Sequence, residues 1–154
     1  MSDDRDQALL REAIALSRSA PVSNTAFSVG CVIVSPGGTL LATGYSRERG
    51  PQSHAEQVAI EKAIEGRADL STATLYSSLE PCSVRGSDVR SCCTRILDAK
   101  IPRVVFAMRE PSVFVEGHGA EVLTEHGVAV VELAAEAALV AQVNAHLVGG
   151  TTAQ

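Results

Sequence analysis

The residues whose types and spacing could do chemistry are His54-Ala55-Glu56 and, further along, Pro81-Cys82 followed after nine residues by Cys92-Cys93. One imidazole and two thiolates fill three of the four tetrahedral positions around Zn2+ and leave the fourth for water, the coordination of a catalytic rather than a structural zinc. Such a site lowers the pKa of its water from 15.7 toward about 7. Glu56, two residues from His54, is close enough to move that water's proton without being a ligand itself. A purely structural site needs no carboxylate beside an open position. A fourth protein ligand would close the site, and Cys93 is the candidate for that role in a non-catalytic module. On residue type alone, either Cys92 or Cys93 can be the third ligand.

The elements that must position these residues can be read from periodicity. Apolar spacing predicts a helix from Asp4 to Ser19, stopped by Ala20-Pro21. The apolar, β-branched run Val29–Val34 before Ser35-Pro36-Gly37-Gly38 predicts a buried strand and a hairpin turn, with Leu40–Tyr45 returning as its partner. A second helix starts at His54 and closes at Gly66, placing His54 and Glu56 in its first turn, where the helix dipole favours negative charge. Thr74–Leu79 reads as a third strand, Cys92–Ala99 as a third helix and Arg103–Ala107 as a fourth strand. Gly119–His126 reads as a fourth helix, Val128–Leu133 as a fifth strand and Ala134–Val148 as one closing helix. Cys92 at a helix start gains thiolate character there, as a zinc ligand requires. Strands alternating with helices after a first hairpin predict a three-layer α/β/α sandwich around a mixed five-stranded sheet, with residues 1–154 as a single domain.

Composition narrows the function classes. The chain has 154 residues, is 45% hydrophobic and has a net charge of −5, enough apolar material for a core and the wrong sign for non-specific nucleic-acid binding. Editing of an RNA base is disfavoured for the same reason. There is no apolar run long enough for a membrane span, and the acidic start MSDDRDQALL is unlike an export signal, so a cytoplasmic protein with thiols or metal-ligating cysteines is expected. Arg85, Arg90, Arg95, Lys100, Arg103 and Arg109 face only Asp88 and Asp98 over the same stretch. That basic run could receive a phosphate, although most of it is expected to be solvated surface. Cys31, inside an apolar strand, is expected in the core, and His118, His126 and His146 on the surface.

With these residues in view, the chain resembles the cytidine deaminase superfamily over nearly its whole length. The resemblance runs through Val29-Gly30-Cys31-Val32-Ile33-Val34, Gly44-Tyr45, His54-Ala55-Glu56, Leu79-Glu80-Pro81-Cys82-Ser83, Cys92-Cys93 and Arg103-Val104-Val105, and is strongest to the deaminase domain of the bifunctional riboflavin-biosynthesis enzyme. It implies His54, Cys82 and Cys92 as zinc ligands, Glu56 as proton shuttle and a homodimer, with the Cys92–Ala99 helix and the loop 111–115 as interface candidates. Cys92 is preferred over Cys93 because Cys93-Thr94-Arg95-Ile96-Leu97 matches the family's helix in register. The implied reaction is hydrolytic deamination of a small aminated heterocycle. Two substrate features depart from the riboflavin enzymes: their Pro-Asn-Pro is replaced by Thr25-Ala26-Phe27, and their His after Gly-Tyr is Ser46. Phe27-Ser28-Val29-Gly30 instead resembles the Phe-x-Val-Gly of free cytidine deaminases, whose Phe stacks on the pyrimidine, and Glu48 keeps the acid of their ribose-binding Asn-x-Glu. The expected substrate contacts are therefore Phe27, Glu48, Ser46, Asn24 and Ala55. The expected substrate is an aminated pyrimidine or related heterocycle, with the riboflavin-pathway intermediate as the alternative.

Overall fold

A computed structural model describes residues 4–83, 91–109 and 118–148. The elements in chain order are α1 (Asp4–Leu16), β1 (Gly30–Val34), β2 (Leu40–Tyr45), α2 (Ala55–Glu65), β3 (Thr74–Leu79), α3 (Cys92–Asp98), β4 (Arg103–Met108), α4 (Gly119–Glu125), β5 (Ala129–Glu132), α5 (Ala137–Val143) and α6 (Ala145–Val148). They form one five-stranded sheet in the order β2-β1-β3-β4-β5. β1 pairs antiparallel with both β2 and β3, whereas β3–β4 and β4–β5 are parallel, so the sheet is mixed as predicted. The parallel pairs need crossover connections, and α3 and α4 supply them.

Two glycines show how the layers close on the sheet. A Cβ on Gly30 would lie 1.9 Å from the carbonyl oxygen of Ala13 in α1, and one on Gly44 would lie 2.4 Å from that of Ala55 in α2. Cys31 pairs with Gly44, so these two share one face, while the neighbouring Gly30 points to the other. The helices α1 and α2 therefore cover opposite faces, and β1, enclosed by both, is buried along its whole length. That is why its sequence is a continuous apolar run rather than an alternation. α3 packs beside α2, and α5 beside α1.

Away from the catalytic edge, α1 is tied to the sheet by a buried polar cluster. The carboxylate of Asp6 accepts from the Tyr76 hydroxyl at 2.6 Å and from Arg103 at 2.6 and 3.0 Å. Arg103 thus leaves the expected basic run for an internal ion pair, and Arg109 likewise pairs with Glu121 at 2.9 Å and Glu132 at 3.2 Å. Arg85, Arg90 and the loop 111–115 lie outside the described residues.

Two helices differ from expectation. The first ends at Leu16, and Ser17–Ser19 tightens into a 3-10 turn in which the Ser17 hydroxyl donates back to the Ile14 carbonyl. The predicted helix Ala134–Val148 is three pieces: a 3-10 turn at Ala134–Glu136, then α5, then α6. The break is at Asn144, whose backbone leaves the helical region (φ −108°, ψ 28°) while its side chain turns inward to bond Ser28. Alanine content predicted the helix; a buried amide with a distant partner overrode it. Among the described residues no helix is long and apolar enough to cross a membrane.

Candidate active site

Strand directions bring the chemistry to one edge. β3 ends at Leu79 and runs through Glu80 and Pro81 into Cys82, and because β1 and β3 are antiparallel, the start of β1 and the end of β2 lie at that same edge. His54 caps α2 in an extended conformation, and its backbone N–H donates to Gln57 Oε1 at 3.3 Å. Ser91 caps α3, accepting from the Thr94 N–H at 3.1 Å, so Cys92 opens that helix.

His54, Cys82 and Cys92 offer one donor atom each, all within 4.8 Å of one another. His54 Nδ1 is 3.3 Å from Cys92 Sγ and 3.7 Å from Cys82 Sγ. A tetrahedral zinc with ordinary Zn–S and Zn–N bonds spaces such donors about 3.6 Å apart. The donor set and its spacing therefore fit Zn2+. Cys82 is also prepared as a thiolate: hydrogen bonding from the Cys92 thiol, and then from His54 and the Cys92 backbone N–H, holds it well below the ordinary thiol range against the opposing effect of burial. Cys93 lies on the other side of α3, its thiol directed at the carbonyls of Pro81 (3.5 Å) and Gly119 (3.6 Å), so it is not a fourth donor.

Glu56 is 4% exposed and next to this cluster. Its Oε1 lies 3.6 Å from Cys92 Sγ. Its Oε2 lies 2.9 Å from the hydroxyl of Ser77, which is itself 2.7 Å from the Leu79 carbonyl. Burial, with the Cys82 thiolate, raises the pKa of Glu56 above the usual carboxylate range, against the opposing pull of His54 and Ser77. Cys31, buried in β1 and facing Glu56, is held in its thiol form mainly by burial and stays a core residue.

The loop carrying Cys82 is braced from behind. Glu80 is 2% exposed; its backbone N–H donates to the Met108 carbonyl at 2.8 Å, and its Oε2 accepts from Ala120 N–H at 2.9 Å at the start of α4. A Cβ on Gly119 would sit 1.8 Å from the Pro81 carbonyl oxygen, so only glycine lets α4 approach this loop so closely.

The other expected site residues are distributed unevenly. Ala55, the first residue of α2, is fully buried beside His54 and Glu56. Phe27 is 7% exposed and packs with the core just before β1. Ser46 is buried, and its hydroxyl accepts from Val29 N–H at 2.8 Å. Glu48 pairs with Lys62 and accepts from Tyr45 N–H at 3.2 Å, so both its oxygens have partners within the fold. Asn24 is exposed. His118, His126 and His146 are exposed, as expected. Sequence reasoning missed Ser77 and Glu80 as supports of the site. The available signal was polar side chains next to apolar strand residues, since buried polar groups require partners.

A buried carboxylate beside three donors that fit zinc suits the hydrolysis of a carbon–nitrogen bond, and on a mixed sheet flanked by helices it points to the class of zinc-dependent deaminases. Within that class, the chain belongs to the cytidine and deoxycytidylate deaminase family, whose zinc-binding region matches residues 3–108. It is 40% identical over 123 residues, 79% of its length, to a diaminohydroxyphosphoribosylamino-pyrimidine deaminase of Schizosaccharomyces pombe, covering 30% of that protein. It is 38% identical over 101 residues, 66% of its length, to the riboflavin biosynthesis protein RibD of Escherichia coli, covering 26% of it. Among solved structures, the diaminohydroxyphosphoribosylaminopyrimidine deaminase/5-amino-6-(5-phosphoribosylamino)uracil reductase of Thermotoga maritima superposes with a TM-score of 0.82 at 29% identity, over 95% of this chain and 42% of that one. The chain thus spans between a quarter and a third of these curated relatives' length.

Proposed function

We propose that this deaminase hydrolyses an aminated pyrimidine or related heterocycle to the carbonyl form, with His54, Cys82 and Cys92 holding the zinc and Glu56 moving the protons. The observation that carries the reading is the Glu56 carboxylate, buried with one oxygen toward the metal donors and the other toward Ser77. Zinc, when bound, supplies Lewis-acid activation of a water. Glu56 Oε1 takes one proton of the water and passes it to a ring nitrogen as the water oxygen bonds the amine-bearing carbon; it then takes the second proton, from the hydroxyl so formed, and gives it to the amine as the carbon–nitrogen bond breaks, while Ser77 keeps Oε2 in place. Burial strengthens the hold of Glu56 on a proton, which suits a group that must both accept and donate one. Ammonia leaves, and the ring carbon becomes a carbonyl.

Phe27 forms the wall against which the heterocycle packs in this reading, with the exposed Asn24 as a further contact; Ala55, buried behind that wall, and Ser46 and Glu48, bonded within the fold, shape the same edge. The relatives name diaminohydroxyphosphoribosylaminopyrimidine as the specific candidate. The replacements at Thr25-Ala26-Phe27 and Ser46 favour a different pyrimidine. The test is ammonia release by zinc-loaded protein from that compound and from a panel of aminated bases, nucleosides and nucleotides. Release from a subset, lost at least about 100-fold in Glu56→Gln, is the expected result; undiminished release in that variant would remove Glu56 from the mechanism. The substrate is a small molecule rather than a nucleic acid in this reading, consistent with the net charge of −5. We also infer a homodimer, for which sedimentation should give about twice the chain mass of 16.1 kDa. A cytoplasmic location suits four cysteines that form no disulfide with one another, and cell fractionation would test it.

A further inference from the structure

Asn144 is fully buried at the break between α5 and α6, and its amide reaches a residue 116 positions away. Its Oδ1 accepts from the Ser28 N–H at 2.7 Å, and its Nδ2 donates to the Ser28 carbonyl at 3.3 Å and to that of Val140 at 3.0 Å. Ser28 lies outside the strands, yet both of its backbone groups are bonded, as they would be by a neighbouring strand. The residues on either side are held in the same way. Val29 N–H donates to Ser46 Oγ at 2.8 Å and Ser46 N–H to the Val29 carbonyl at 3.0 Å. The Arg47 guanidinium donates to the Phe27 carbonyl at 3.4 Å and to Ser28 Oγ at 3.0 Å. Arg47 itself has φ 63°, a left-handed conformation that persists because its surroundings over-determine it.

The faces of the sheet say what this bracing does. Cys31 pairs with Ser77, whose hydroxyl reaches Glu56, so Cys31 faces the metal side and Gly30 faces α1. Carried back along the extended chain, the alternation gives Val29 and Phe27 the face of Glu56, and Ser28 the face of α1 and α5, from which Asn144 comes.

We propose that Asn144 is a positioning residue for the substrate: by holding the Ser28 backbone as a neighbouring strand would, it fixes the alternation of the segment before β1 and so sets Phe27 against the heterocycle in front of the metal donors. This rests on the reading of Phe27 as the substrate wall. Asn144 lies outside the family match at residues 3–108, so a residue from the C-terminal part of this chain shapes the specificity of a site built by the family region.

The test compares zinc-loaded wild type with Asn144→Ala and with Asn144→Asp, which keeps the acceptor for Ser28 N–H. Each is assayed for KM and kcat on the pyrimidine that wild type deaminates, and for zinc content and melting temperature. Labelling with 4-fluorophenylalanine adds a readout independent of turnover, because the chain has only three phenylalanines and Phe27→Leu identifies the Phe27 resonance. The expected result for Asn144→Ala is KM raised about 10-fold, kcat and zinc content within about two-fold of wild type, and a shifted or broadened Phe27 resonance, with Asn144→Asp intermediate. An unchanged KM overturns the proposal, whether or not the protein melts earlier, and so does an unchanged Phe27 resonance. Wild type that releases ammonia from no pyrimidine overturns the underlying substrate reading, an outcome visible without any Asn144 variant.

Discussion

Neighbouring cysteines of α3 have opposite surroundings. Cys92 shares a 3.3 Å contact with His54 Nδ1, whereas the Cys93 thiol is directed at the backbone carbonyls of Pro81 and Gly119. Helical geometry turns consecutive side chains about 100° apart, so one helix start cannot direct both sulfurs at one metal. Replacing Cys92 with Ser should remove stoichiometric zinc. Replacing Cys93 with Ser should leave one zinc per chain, at a stability cost of about 1 kcal/mol; metal analysis of the two purified proteins distinguishes them. Equal zinc loss in both would mean that Cys93 is a ligand. The His-x-Glu and Pro-Cys spacing was legible in the sequence because those residues are local. Residue type alone left the adjacent cysteines open and the family register favoured Cys92; the structure groups Cys92 with His54 and Cys82, through the direction in which α3 leaves its Ser91 cap.

At the scale of elements, the metal site depends on how closely α4 packs on the loop Glu80-Pro81-Cys82. Gly119 allows that approach and Glu80 caps the helix against it. Gly119→Ala would force α4 and the Pro81 carbonyl apart, since the added Cβ starts 1.8 Å from that oxygen. The expected cost is about 1–3 kcal/mol of stability, with weaker retention of zinc against a chelator. Zinc retention equal to that of wild type would show that the loop is held without α4. The same scale explains the misread C-terminal helix. Alanine-rich periodicity carries no information about a buried amide whose partner, Ser28, is far away in sequence.

At the scale of the whole molecule, several carboxylates are held below their ordinary range by arginines from other elements. Glu136 is lowered first by its hydrogen bond from Arg11, which joins the turn before α5 to α1. Glu65 is lowered by Arg49, and Glu121 by Arg109. A carboxylate with a depressed folded pKa contributes stability above its unfolded value, and that contribution is lost as pH falls through the folded one. The contribution of these three carboxylates to melting temperature should therefore be constant above about pH 5 and be lost below about pH 4.5. Glu136→Gln should lower the neutral-pH value and flatten the acid limb, as thermal denaturation across pH would show; an unchanged acid limb would exclude this pair as a contributor. The sequence by itself determined the donor types of the candidate metal site, a carboxylate two residues from His54 and the succession of strands and helices, because these depend on residue chemistry and short-range periodicity. Only the tertiary structure decided that the Cys93 thiol meets the Pro81 and Gly119 carbonyls, that Ser77 and Glu80 support the site, and that Asn144 braces Ser28, because each depends on contacts between segments that meet only when the sheet closes.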